Sequence, residues 1–136
     1  MSKHFVDQVV EFNQAVLKIE QRAVDMLKQN EFEISMKCLQ EEVDEFEEAF
    51  KSGDLIGCID AIIDLKYFAV GVMYKMGLTP DAMKKCMSAV HEANMEKKLG
   101  VVAKRETAGA ADAVKPAGWV SPEERIINIL DAMGAQ

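Results

Sequence analysis

The chain has 136 residues, a net charge of −7 and only 3 Pro, so it reads as one helical domain. Hydrophobic residues at 49% and charged residues at 29% exclude a disordered chain, and no basic patch with interleaved aromatics points to nucleic acid. Cys38, Cys58 and Cys86 are odd in number, widely spaced and outside any C-x-x-C pair, which excludes a disulfide framework or a zinc site.

Apolar spacing predicts five helices. The first is expected over roughly 3–28, with Phe5, Val9, Phe12, Val16 and Ile19 at intervals of three and four. Its opening, MSKHFVDQVVEF, carries acids where a signal peptide needs an unbroken apolar run, so a cytoplasmic location is expected. The second helix is expected over roughly 34–51. Met36, Leu39, Val43, Phe46 and Phe50 make its apolar stripe, read here as its core face.

The third helix is expected over roughly 54–76, with Asp54 as N-cap and Gly77 as its stop. It is apolar nearly all round, and one layer of neighbours from so short a chain can hardly cover it. A homodimer or a dimer of dimers follows as the expectation. Asp60, Asp64 and Lys66 interrupt the run, which removes the one candidate membrane span.

The fourth helix opens at TPD, with Thr79 as cap and Pro80 in the first turn, and is expected to reach about Leu99. From Gly100 to Gly118 small residues and scattered charges carry no stripe, so a mobile loop or lid is expected over roughly 100–120. SPEE opens the last helix, with Ser121 and Glu124 as a capping box around Pro122. The expected architecture is all-α: a single domain, 1–136, with a four-helix-bundle-like core, a C-terminal lid segment and a short extra helix.

Two acidic groups stand out. LQEEVDEFEEAF places Glu42 and Glu45 beside the apolar stripe of the second helix, one turn apart, with Glu41 next to them on the outer side. CIDAIIDLKYF places Asp60 and Asp64 one turn apart on the third. Each has an ordinary explanation: a solvated acidic face for the glutamates, and pairing with Lys66, Lys37 or a helix end for the aspartates. A hairpin through KSGD would bring the pairs together, where four carboxylates repel and a divalent cation relieves them. Mg²⁺ takes oxygen ligands and leaves positions for phosphate oxygens. No GxxxxGK[ST] loop exists, which excludes a P-loop mechanism.

The ordered set EEVDE, DAIIDLKYFAVGV, VHEANMEKK, and KPAGW with a downstream SPEE resembles the all-α nucleoside triphosphate pyrophosphatases. These include MazG-like proteins, phosphoribosyl-ATP pyrophosphohydrolases and dimeric dUTPases. The phosphoribosyl-ATP-pyrophosphohydrolase-like branch is the nearest. The resemblance implies cleavage between the α and β phosphates with Mg²⁺, or Mn²⁺ in its place. It implies Glu42, Glu45, Asp60 and Asp64 as metal ligands, and Glu41 as metal ligand or as a residue positioning the attacking water. The family's E-x-x-D has its glutamate where this chain has Ala61, so Asp60 stands in for it. Asn94, Lys97, Lys115 and Trp119 match ligand-contacting positions, Trp119 either stacking on the base or plugging the bundle. Phe12 and Asn13 are read either as lining a base pocket or as core.

Three readings compete. The first is an Mg²⁺-dependent nucleoside triphosphate pyrophosphohydrolase, the second a phosphoribosyl-ATP pyrophosphohydrolase, and the third a non-catalytic, metal-stabilised helical scaffold.

Overall fold

A computed structural model describes residues 3–100 and 112–134. The chain is all-α, with a small two-stranded sheet. It forms two compact units, Met1–Asp81 and Ala82–Gln136.

In the first unit, α1 (Phe5–Ala15), α2 (Gln29–Lys51) and α3 (Leu55–Lys75) follow one another, and α3 packs on both α1 and α2. His4 starts α1, its Nδ1 accepting from the Val6 N–H at 3.1 Å. Val6, Val9 and Val10 are the buried face of α1.

The first helix is shorter than its periodicity predicts. It stops at Ala15, and residues 16–28 are not helical. The Phe12 carbonyl takes N–H donors from both Val16 and Leu17, and Lys18 turns into the left-handed region at φ 58°. The chain after it is tied to the end of α3. Tyr74 Oη donates to the Ile19 carbonyl at 2.7 Å and Gln21 Nε2 to the Gly77 carbonyl at 3.0 Å. The Asp25 N–H donates to the Met76 carbonyl at 3.0 Å. Gly77 has φ +92°, and a Cβ there would meet the Ala23 carbonyl oxygen at 2.4 Å. The strap, and not a helix stop alone, requires glycine at this position.

α2 begins earlier than predicted because Glu31 caps it. Its carboxylate accepts from the Lys28 N–H at 2.9 Å and from both Arg22 terminal nitrogens at 3.1 Å. The Lys28 N–H and then the Arg22 guanidinium hold the Glu31 carboxyl below its ordinary range. α3 matches its prediction, with the Asp54 carboxylate accepting from the Gly57 N–H at 2.9 Å.

The expected core face of α2 is corrected. Met36, Val43, Phe46 and Phe50 are exposed, whereas Ser35 and Glu42 are buried. Ser35, Cys38, Glu42, Glu45 and Ala49 recur at three and four, and this narrow, mostly small or polar row lies toward α3. α3 answers with Gly57 and the buried Ala61; a Cβ on Gly57 would stand 3.1 Å from the Ala49 Cβ. Close approach of small side chains, not the largest hydrophobes, forms the hairpin. The outer stripe of α3, Leu55, Ile56, Ile59, Ile62 and Ile63, is likewise exposed.

In the second unit, α4 (Pro80–Met95, its first two residues belonging to the first unit) buries Ala82, Met83, Cys86, Ala89 and Ala93. It ends before the predicted Leu99, because Lys98–Gly100 is strand β1, antiparallel to β2 (Asp112–Val114) with Leu99 opposite Ala113. The expected lid therefore contains a strand, and its portion 101–111 lies outside the described residues. α5 (Glu123–Ala132) starts two residues past Ser121, whose Oγ accepts from the Glu123 N–H at 3.3 Å. Glu124 is thus in the first turn of α5. Arg125 Nη1 on α5 donates to Glu92 Oε2 on α4 at 2.6 Å.

Candidate functional site

The α2–α3 hairpin brings together carboxylates that are far apart in sequence. Glu42 projects from the α2 face that packs toward α3 and is only 8% exposed. Its Oε2 is buried without a hydrogen-bond partner. Burial, first, and then the charges of Glu45, Asp64 and Asp60 push its carboxyl above the ordinary range, with a hydrogen bond to Glu45 acting the same way. Four of the five acids expected at the site, Glu42, Glu45, Asp60 and Asp64, thus lie within one another's field. Asp64 is half-buried, and Glu45, Asp60 and Glu41 are exposed.

The aspartates have no cationic partner among the described residues. Lys66, one alternative partner, instead lies 4.5 Å from the centroid of the Phe5 ring. An all-carboxylate donor set suits a hard divalent cation, and the orphaned Glu42 oxygen is a ligand lone pair already stripped of water. Among the described residues, no three of the His, Cys, Asp and Glu side chains stand in a ready metal-binding arrangement as they are. The chemistry of the cluster fits such an ion; its side chains would have to turn to hold one.

Beside this cluster, an enclosed cavity of about 50 Å³ is lined by Phe12, Asn13, Ser35, Cys38, Tyr67 and Phe68, among others. Ser35 Oγ is buried without a partner, and Asn13 is buried with its Nδ2 donating to the Val9 carbonyl at 2.9 Å. Tyr67 meets both Phe5 and Phe12 edge-to-face, at 5.6 and 5.5 Å. Ser35 lies two turns before Glu42, and Tyr67 and Phe68 lie one turn beyond Asp64. Sequence reasoning found Phe12 and Asn13 but missed Ser35, Tyr67 and Phe68. The small and polar row on α2 was the available signal, overshadowed by the larger apolar stripe.

The remaining expected residues belong to the second unit. Trp119 is half-buried, and its Nε1–H donates to the Ala93 carbonyl near the end of α4 at 2.7 Å. Lys97 Nζ lies 5.2 Å and Lys115 Nζ 5.1 Å from the centroid of its ring. Asn94 is exposed, one turn before Lys97, whose N–H donates to the Asn94 carbonyl at 3.0 Å. Among the described residues, no helix is long and apolar enough to cross a membrane.

No curated protein matches the chain. The family model for phosphoribosyl-ATP pyrophosphohydrolase matches residues 9–94, which include all five acids of the cluster region and the α2–α3 hairpin that carries them. An all-α fold and this match agree with the resemblance carried by EEVDE and DAIIDLKYFAVGV. The chain belongs to the phosphoribosyl-ATP pyrophosphohydrolase family, and with it to the MazG-like superfamily of all-α nucleoside triphosphate pyrophosphatases, hydrolases that act on acid anhydrides.

Proposed function

We propose that the chain is an Mg²⁺-dependent pyrophosphohydrolase that cleaves a nucleoside triphosphate to the monophosphate and pyrophosphate, with Mn²⁺ able to replace Mg²⁺. The observation that supports this most is the buried, unpartnered Glu42 carboxylate oxygen among Glu45, Asp60 and Asp64. Carboxylates confined together raise each other's proton affinity, and a divalent cation removes that cost while leaving room for phosphate oxygens.

In this reading Glu42, Glu45, Asp60 and Asp64 hold the metal. When bound, Mg²⁺ supplies Lewis acidity toward a phosphoryl oxygen and toward water. Glu41, exposed beside Glu42, positions the attacking water or accepts its proton. The aromatic cavity takes the base, Ser35 and Asn13 offering the polar groups that orient a flat heterocycle between Phe12, Tyr67 and Phe68. Asn94, Lys97, Lys115 and Trp119 contact the substrate from the second unit. The enzyme works in the cytoplasm on the nucleotide pool, as a homodimer or a dimer of dimers.

A second reading, phosphoribosyl-ATP as substrate, is favoured by the family match itself. One experiment separates the readings: pyrophosphate release from a panel of ribo- and deoxyribonucleoside triphosphates and phosphoribosyl-ATP, with Mg²⁺, Mn²⁺ or EDTA. Release from triphosphates that stops in EDTA is the expected result. Release from phosphoribosyl-ATP alone selects the second reading. Silence on every compound overturns both and leaves a non-catalytic scaffold.

A further inference from the structure

Trp119 is the one tryptophan of the chain, and two lysines converge on it. They come from separate segments: Lys97 follows α4, and Lys115 follows β2. The chain is acidic, with 23 Asp and Glu against 16 Lys and Arg, so carboxylate partners are plentiful. Arg125, also in the second unit, takes two, Glu92 and Glu96. Among the described residues, neither Lys97 nor Lys115 has any; each lies instead near an aromatic ring. A ring occupies one side of an ammonium and satisfies no formal charge, so the other N–H donors stay available.

The ring itself is fixed. Its Nε1–H is held by the Ala93 carbonyl, and the Trp119 N–H closes a turn onto the Pro116 carbonyl at 3.0 Å. A lysine side chain is long and loses much rotamer freedom when it binds, unless something orders it beforehand. An anchored indole with two ammoniums beside it is such a device.

We propose that Trp119 is a positioning residue that pre-orders Lys97 and Lys115 into a metal-independent anion site for a phosphate chain. Its use rests on the nucleotide-hydrolase reading, since the substrate and the released pyrophosphate both carry such a chain. The binding itself does not need that reading to hold. Two converging ammoniums provide charge-assisted donors to adjacent phosphoryl groups, whereas a single compact anion engages fewer of them.

Inorganic pyrophosphate in EDTA, at fixed ionic strength, is the probe, with the full-length protein. Trp119 emission reports the site without a label, because no other tryptophan contributes. A saturable emission change is expected, and calorimetry should show pyrophosphate binding at least about tenfold tighter than sulfate. Lys97→Met and Lys115→Met keep the aliphatic stems and should each abolish the emission change. Lys98→Met, removing the exposed neighbouring charge, should leave it intact. By calorimetry, Trp119→Leu should weaken pyrophosphate binding about tenfold, and Trp119→Phe, which keeps a ring, by less.

The proposal is overturned by any of three results: no binding to the wild type, equal loss with Lys98→Met, or unchanged or tighter binding with Trp119→Leu. If Trp119→Leu does not fold, Trp119→Phe and the two lysine variants decide alone. Hydrolysis lost on the whole panel with pyrophosphate binding intact would sink the activity and leave this site standing.

Discussion

Glu42 is where the sequence pays for chemistry with stability. Its carboxyl has a proton affinity raised by burial and by three acidic neighbours. For an acid whose folded pKa lies above its unfolded value, the folded state binds the extra proton between the two values. Stability from this group is therefore full at and below the ordinary carboxylate range, and falls as pH rises through the raised folded value. Thermal midpoints measured in EDTA should decline for the wild type as pH climbs from the ordinary carboxylate value toward neutrality. Glu42→Gln should flatten that decline, and adding Mg²⁺ to the wild type should offset it. The same substitution, and Asp64→Asn, should reduce hydrolysis more than about 100-fold, beyond the roughly 10–100-fold typical of changes around a metal's outer shell. Stability without metal should hold or rise in both, because each removes a repelling charge. Near-normal turnover at saturating Mg²⁺ in either variant would refute the ligand assignment.

At the scale of elements, glycine separates two causes of a turn. Gly53 has φ +69° and open space where a Cβ would stand, with nothing within 4 Å, whereas Gly77 has φ +92° with the strap backbone 2.4 Å from that point. Gly53→Ala should cost about 1–2 kcal/mol, the left-handed penalty alone. Gly77→Ala should cost clearly more and free the 16–28 strap, read as faster hydrogen exchange at Asp25, whose N–H is bonded to Met76. Equal costs would mean the strap moves aside freely. Gly77 was legible in the sequence as a helix stop, as were Asp54 as a cap, Pro80 as a helix start and the acidic hairpin, since each is a local signal. The strap was not legible. Val16 and Ile19 continue the helical spacing, and what ends α1 is a set of bonds to Tyr74, Met76 and Gly77, which lie far along the chain at the end of α3. The inner face of α2 was misjudged for a related reason. Periodicity locates the apolar stripe of a helix but not what covers it, and the hairpin closes on Gly57 and Ala61, which only small residues such as Ala49 can approach.

At the scale of the whole molecule, that misjudged stripe becomes the argument for association. Met36, Val43, Phe46 and Phe50 on α2, and Leu55, Ile56, Ile59, Ile62 and Ile63 on α3, are all exposed within one chain. Ile56 and Phe50 are each 73% exposed, far from a chance partial exposure. A single soluble chain rarely leaves a contiguous apolar patch larger than a few hundred Å², and a stable interface needs roughly 800 Å² per partner. Both stripes belong to the hairpin that carries the carboxylates, on helical faces other than the row holding Glu42. We propose that a second copy covers them, so that the acidic cluster lies in a hairpin stiffened by its own dimer contact. The wild type should sediment as a dimer at micromolar concentration, with a thermal midpoint that rises with protein concentration. Ile59→Glu, at the middle of the α3 stripe, should shift it to monomer, lower its thermal midpoint and remove the concentration dependence. Asp44→Lys, on the exposed polar part of α2 away from these stripes, should change none of the three. A wild type that stays folded as a monomer at that concentration would show that the stripes serve something other than self-association.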